Sequence, residues 1–169
     1  GHSSSYFQTE PWLAYNTIQT WSDYWRSHPM VVADYCRLPV KPVVMAEGAY
    51  EEGPEYPSRP ITPLVVRKEA YWSYLGGGFH CYGHNDMWRH NPTWRQSLDS
   101  PGARQMTILK NLLTSREWWK LLPDQSVFAL GANSDKTLNV AARAIDGSFV
   151  IAYLSSRTTV SIDLRKITA

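Results

Sequence analysis

The chain has 169 residues, room for one domain or for one incomplete domain and part of another. Apolar residues make up 43% and charged residues 19%, which supports a packed core and excludes wholesale disorder. Its 17 basic and 15 acidic residues are spread along the chain, so nothing points to a nucleic-acid or membrane-surface partner, and no apolar run is long enough to span a bilayer.

In chain order, Gly1–Thr9 is small and polar and reads as a loop. Leu13–Thr20 is β-prone and reads as a strand. Ser27 caps a helix with Pro29 in its first turn, running to about Arg37, with Met30, Val31 and Tyr35 on its buried side. Val43–Ala46 is a continuous apolar run, the pattern of a strand covered on both faces, and it ends at Glu47-Gly48. Ala49–Ile61 is a long loop. Thr62-Pro63 opens a helix through Leu75 that stops at Gly76-Gly77-Gly78. These glycines follow a helix and precede a strand, so they do not form a phosphate loop.

Phe79–Tyr82 reads as the next strand, and Gly83–Asp99 as a loop rich in His, Asn and Trp. Ser100-Pro101 repeats the cap-and-proline start, with Met106, Leu109, Leu112 and Leu113 at helical spacing. Ser115–Leu121 reads as one more helical turn. Strands alternating with helices indicate a parallel α/β architecture, in which the loops after the strands carry function. After Pro123 the chain turns to β: Leu138–Ile145 and Ser148–Leu154 are joined by Asp146-Gly147, a hairpin signal, and Thr158–Leu164 reads as a third strand. Cys36 and Cys81 are expected as buried small apolar residues rather than a disulfide. Eight Trp, ten Tyr and four Phe suit a core or a sugar-binding cleft, and core is the commoner role for any one of them.

Four stretches, in this order and spacing, carry a family resemblance: SSSYFQTEPWLAYNTIQT (Ser3–Thr20), PVKPVVMAEGAYE (Pro39–Glu51), RKEAYWSYLGGGFHCYGHNDMW (Arg67–Trp88) and LDSPGARQM with LLTSREWWKLLPDQS (Leu98–Ser126). The chain resembles the apiosidase-like glycoside hydrolase family, related to glycoside hydrolase family 140. The resemblance implies an α/β fold: residues 1–122 as the C-terminal half of a (β/α)8 TIM barrel, and 123–169 as an incomplete small β domain. Leu13–Thr20, Val43–Glu47 and Phe79–Tyr82 would be barrel strands six, seven and eight. A domain named for collagen binding follows the barrel in that family, a label that carries no collagen affinity with it.

The same resemblance makes Glu47, at the end of strand seven, the catalytic nucleophile. The family's acid/base is an Asp after strand four, a position expected to lie before Gly1. Glu51, Glu52 and Asp86 are carboxylates on strand-end loops, and nothing in their spacing assigns the acid role to any of them. Gln19, Tyr50, His84, Asn85, Asp86 and Trp88 are the candidate substrate contacts, with Trp88 as a stacking platform. The competing reading of the His84–Asp86 run, a polar loop with satisfied hydrogen bonds, is equally open. His80 and His84 are close in sequence, but no carboxylate or Cys completes a metal set, so neither a metal nor a cofactor is expected. Trp118-Trp119 are expected to pack the two domains together. The partners expected are a carbohydrate substrate and a complementary half-barrel chain or a second copy, of which a second copy would bring no family-type acid. Three functions stay open: a glycoside hydrolase or part of one, a non-catalytic carbohydrate-binding half barrel, and an inactive truncated product.

Overall fold

The computed structural model describes residues 1–55 and 59–168; residues 56–58, within the expected long loop, and Ala169 lie outside the described residues. The fold is mixed α/β. A four-residue helix α1 (Ser4–Phe7) interrupts the opening segment that reads as loop. Three parallel strands then form one sheet in the order β1 (Asn16–Gln19), β2 (Val43–Glu47) and β5 (Phe79–His80). Helix α2 (Ser27–Tyr35) connects β1 to β2, and α3 (Pro63–Leu75) connects β2 to β5. A two-residue pair, β3 (Pro54–Glu55) with β4 (Arg59–Pro60), closes the loop after β2. Two one-turn helices, α4 (Asn85–Trp88) and α5 (Trp94–Ser97), structure the loop after β5, and α6 (Pro101–Thr114) follows.

The caps differ in how they work. Ser100 accepts the Ala103 N–H and has Pro101 behind it, as a cap-and-proline start should. Ser27 lies inside α2 instead of capping it, and its hydroxyl donates to Glu69. Helix α3 stops at Gly76, and Gly77 takes φ 91°, a conformation that glycine adopts without strain.

Strand β2 departs from the expected burial on both faces. Val43 and Met45 pack with Ile18, Met30 and Val31 beneath α2, whereas Val44 is half-buried and Ala46 exposed. Helices cover one face of this sheet, and no described element covers the other. Both cysteines are exposed, contrary to expectation. Cys36 lies just past the last turn of α2, and Cys81 just past the two-residue β5, where neither element continues to bury it.

The later residues form two small sheets. The helical turn expected over Ser115–Leu121 forms as a 3-10 turn at Trp118–Lys120; β6 (Leu121–Pro123) follows it and pairs antiparallel with β8 (Val140–Ala144), and β8 with β9 (Val150–Tyr153). β10 (Ser161–Ile162) pairs with β7 (Phe128–Leu130), not with the hairpin. The Asp146-Gly147 turn forms as read, with Gly147 at φ 74° and the Asp146 carboxylate accepting the Ser148 N–H.

Helix α3 builds the buried part of the seam between these sheets and the α/β part; of the two expected indoles, Trp118 sets its ring edge-on to Phe79 at 6.2 Å and Trp119 is 65% exposed. Trp72 is fully buried and donates from Nε1 to the Leu138 carbonyl at 3.0 Å. Tyr71 stacks on Tyr153 at 4.2 Å, and Val140, Ala142 and Ile151 join the α3 cluster. An indole buries more area inside a shared core than on an exposed turn, so Trp72 holds the seam.

Candidate active site

Strand β2 delivers Glu47 to the carboxyl end of the parallel sheet, between β1 and β5. A register shift between Ile18 and Gln19 brings Gln19 level with Glu47, and the Thr20 N–H donates to the Glu47 carbonyl at 3.0 Å. The half-buried Glu47 side chain lines a cleft of about 310 Å³ together with Trp21, Tyr50, Asn85, Trp88 and Arg89. Four expected site residues, Glu47, Tyr50, Asn85 and Trp88, thus meet in one cleft. Trp21 and Arg89 join them without any sequence signal beyond adjacency to Gln19 and Trp88.

Burial, then the charge of Glu47 and Cys81, raises the Tyr50 hydroxyl pKa, which keeps a protonated phenol beside the carboxylate. The Tyr50 ring lies against Gly83, where an added Cβ would stand 2.4 Å from it, so only glycine leaves room for the ring. Trp88 is 57% exposed, and the Arg89 guanidinium lies 4.9 Å over its ring. No carboxylate among the described residues pairs with Arg89.

Gln19, His84 and Asp86 do not line this cleft. The Gln19 side chain is exposed beside Glu47. His84 turns inward, 3% exposed, and its Nδ1 accepts the Asp86 N–H as the cap of α4. The Asp86 carboxylate accepts from Asn91 Nδ2 at 2.7 Å and from Thr93 Oγ1 at 3.4 Å, closing its own loop.

Two carboxylates, Glu52 and Asp86, do approach His84, with the ligand atoms of all three within 4.8 Å of one another. The spacing Glu52–His84 hid this, because the loop after β2 reaches the loop after β5 only in the fold. The group still makes a poor cation cage. Nδ1 is engaged as an acceptor, so the neutral ring carries its proton on Nε2, the atom 3.8 Å from Glu52. A metal at Nε2 would need that lone pair and would cost the α4 cap.

Beneath the cleft lie two sealed carboxylates. Glu69, on α3, accepts from Thr20 Oγ1, Ser27 Oγ and Ala49 N, each at 2.8 Å, joining the end of β1, the start of α2 and the loop after β2. Burial raises its pKa to about 7, against the pull of those three hydrogen bonds. A Cβ on Gly48 would stand 2.2 Å from this carboxyl, so glycine is required next to Glu47. Glu51 accepts from Tyr82 Oη, Ser100 Oγ and Gly102 N, fastening the loop after β2 to the start of α6. Glu51 is therefore committed to structure. Glu69 left one trace in the sequence: an acid one turn from Val65, Val66 and Trp72 on the buried side of α3.

A more apolar cavity of about 280 Å³ lies between α3, β5 and α6. Its imidazole, His80, has both ring nitrogens buried without a partner, and burial lowers its pKa to about 4. No carboxylate is on its lining, so this cavity offers no carboxyl acid or base.

A parallel sheet with a carboxylate at a strand's carboxyl end, facing an aromatic cleft, is an arrangement found among glycoside hydrolases. A glycoside hydrolase family 5 structure from Bacteroides vulgatus is 28% identical over 99% of this chain and 44% of its own, with a TM-score of 0.88. A second structure, described as a glycoside hydrolase, is 27% identical over 99% of this chain and 45% of its own, with a TM-score of 0.87. Residues 1–120 match the apiosidase-like catalytic domain, and the chain belongs to that family. No curated protein sequence matches it. The chain spans less than half the length of both solved structures. Among the described residues, no helix is long and apolar enough to cross a membrane.

Proposed function

We propose that this chain forms the nucleophile-bearing wall of a glycoside hydrolase site acting on complex polysaccharide, with Glu47 as nucleophile. In this reading residues 1–122 are the C-terminal half of a (β/α)8 barrel, β1, β2 and β5 are its strands six to eight, and 123–169 begin the β domain that follows. The observation that carries it is Glu47 at the carboxyl end of the central parallel strand, lining a cleft with Tyr50 and two indoles. Tyr50, Asn85 and Trp88 contact the sugar. Gln19, His84 and Asp86 contribute from the rim and by holding the loop after β5. A retaining mechanism needs a second carboxyl about 5–5.5 Å from Glu47, an inverting one about 6.5–9.5 Å away. In this reading that acid comes from a complementary half barrel, since Glu51 and Glu69 are sealed into the scaffold and neither Glu52 nor Asp86 lines the cleft.

A non-catalytic binding role is favoured by one fact: Glu47 is the only carboxylate among the described residues that line the cleft. Intact mass and turnover on aryl glycosides and pectic oligosaccharides, beside Glu47→Gln, separate the two. Turnover that falls by about 10³ or more in the variant supports the hydrolase reading. Binding without turnover, at a mass matching this chain alone, leaves the binding role.

A further inference from the structure

We propose that Trp21 is a glycan-stacking residue that selects which sugar ring the cleft accepts, and that the backbone holds a strained conformation in order to present it. This rests on the reading of the cleft as a sugar site. Trp21 follows the end of β1 with φ 50°. In that left-handed region a Cβ crowds the following carbonyl, so glycine sits there freely and a bulky side chain does not. Among the described residues the other non-glycine positions with positive φ are Glu52, His90, Asn133 and Asp135, all polar. Trp21 is the one large hydrophobic residue among them. Strain of this kind lasts only where neighbours impose it, and it gathers at ligand sites.

The neighbours here are well defined. Thr20 donates from its N–H to Glu47 and from its hydroxyl to Glu69, and its carbonyl accepts the Asp23 N–H at 3.1 Å. The turn carrying Trp21 is thus pinned to the strand end that carries Glu47 and to the carboxylate beneath it. The indole gains little packing in return. It is 52% exposed, no ring among the described residues contacts it, and it lines the cleft beside Glu47. The other indole of the cleft, Trp88, already has the Arg89 guanidinium over its ring.

Trp21 therefore offers an uncovered aromatic face, with Glu47, Tyr50 and Asn85 around it as polar partners. The ligand that suits such a face is a sugar ring with one C–H-rich side to lay on the indole and hydroxyls at its edge. A ring with axial hydroxyls on both faces would be refused.

The test compares Trp21→Gly, Trp21→Ala and Trp21→Phe by thermal melting and by calorimetric binding of soluble pectic oligosaccharides. Because only the Cβ separates them at this φ, the Gly variant melts above the Ala variant by about 2–4 °C, the reverse of the ordinary order. Both weaken binding by about tenfold or more, and Phe restores it to within about threefold. The proposal is overturned if the Gly variant binds as the wild type does, or melts below the Ala variant. It is equally overturned if both lose more than about 10 °C, which would make the indole a packing residue. Wild-type protein that binds none of the oligosaccharides sinks the sugar-site reading itself, and this inference with it.

Discussion

The surface of the cleft and the layer just beneath it use the same functional group in opposite ways. Glu47 stands half-buried in the cleft, and no described side chain donates a hydrogen bond to its carboxylate. Glu69 and Glu51, on α3 and in the loop after β2, are almost fully buried and each accepts from three groups. Judged by burial and perturbed acidity alone, Glu69 would be the functional candidate, since perturbed groups gather at active sites. Its partners argue otherwise. They come from three separate elements and hold it fully buried inside the scaffold. A carboxylate held by three donors of its own scaffold is committed to structure, and one left open at a strand end is free to meet a ligand.

The largest break in that contrast should come from Glu51. Removing its side chain strands the Gly102 N–H at the start of α6 and takes the shared acceptor from the Tyr82 and Ser100 hydroxyls, which keep only each other at 2.7 Å. Unpaired buried donors of this kind cost about 1–3 kcal/mol each before relaxation, so Glu51→Ala is expected to lose about 3–5 kcal/mol in urea unfolding. A loss below about 1 kcal/mol would show that water replaces the carboxylate, and Glu51 would again be free for chemistry.

Glu69 should reveal itself through pH. Its folded pKa, about 7, lies above the ordinary 4.5, so the native state holds a proton that the unfolded chain releases. Its stabilising contribution is complete below pH 4.5 and is lost as pH rises towards 7, a change of roughly 3 kcal/mol. His28 and His80 act in the opposite sense: burial lowers both to about 4, so their contribution is lost as pH falls from 6.5. The wild-type curve is therefore composite, and the difference between wild type and Glu69→Gln isolates the carboxyl. That difference should slope between pH 4.5 and 7, and a flat one would mean that Glu69 stays ionised, held by its three donors.

Much of this arrangement was legible before any coordinates. Alternating apolar runs and cap-and-proline starts mark β2, α3 and α6 to within a residue or two, because local pattern and tertiary role agree there. The resemblance picked out Glu47, and adjacency carried Tyr50, Asn85 and Trp88 into the same cleft. What the sequence hid depends on approach across the fold. His84 and Asp86 look like cleft residues from their place after β5, but one turns in to cap α4 and the other ties its loop to Asn91. The seam is a similar case: Trp118 and Trp119 stand at the junction in sequence, yet Trp72 reaches Leu138 across 66 residues. Trp21 was invisible because positive φ has no signature in a tryptophan codon's neighbours, only in the turn that enforces it.

The smallest expected effect on stability is the sharpest test of the contrast. Glu47→Gln keeps the shape of the side chain and strands no described donor, so the folded state should change by less than about 0.5 kcal/mol. Neighbouring charge gives the sign. Glu47 raises the Tyr50 hydroxyl pKa, so neutralising it should lower that pKa, readable as an earlier rise in tyrosinate absorbance on alkaline titration. A variant that keeps its stability, lowers the Tyr50 pKa and changes glycan handling would assign Glu47 to chemistry. A variant that unfolds as readily as Glu51→Ala would return Glu47 to the scaffold and erase the distinction between the two layers.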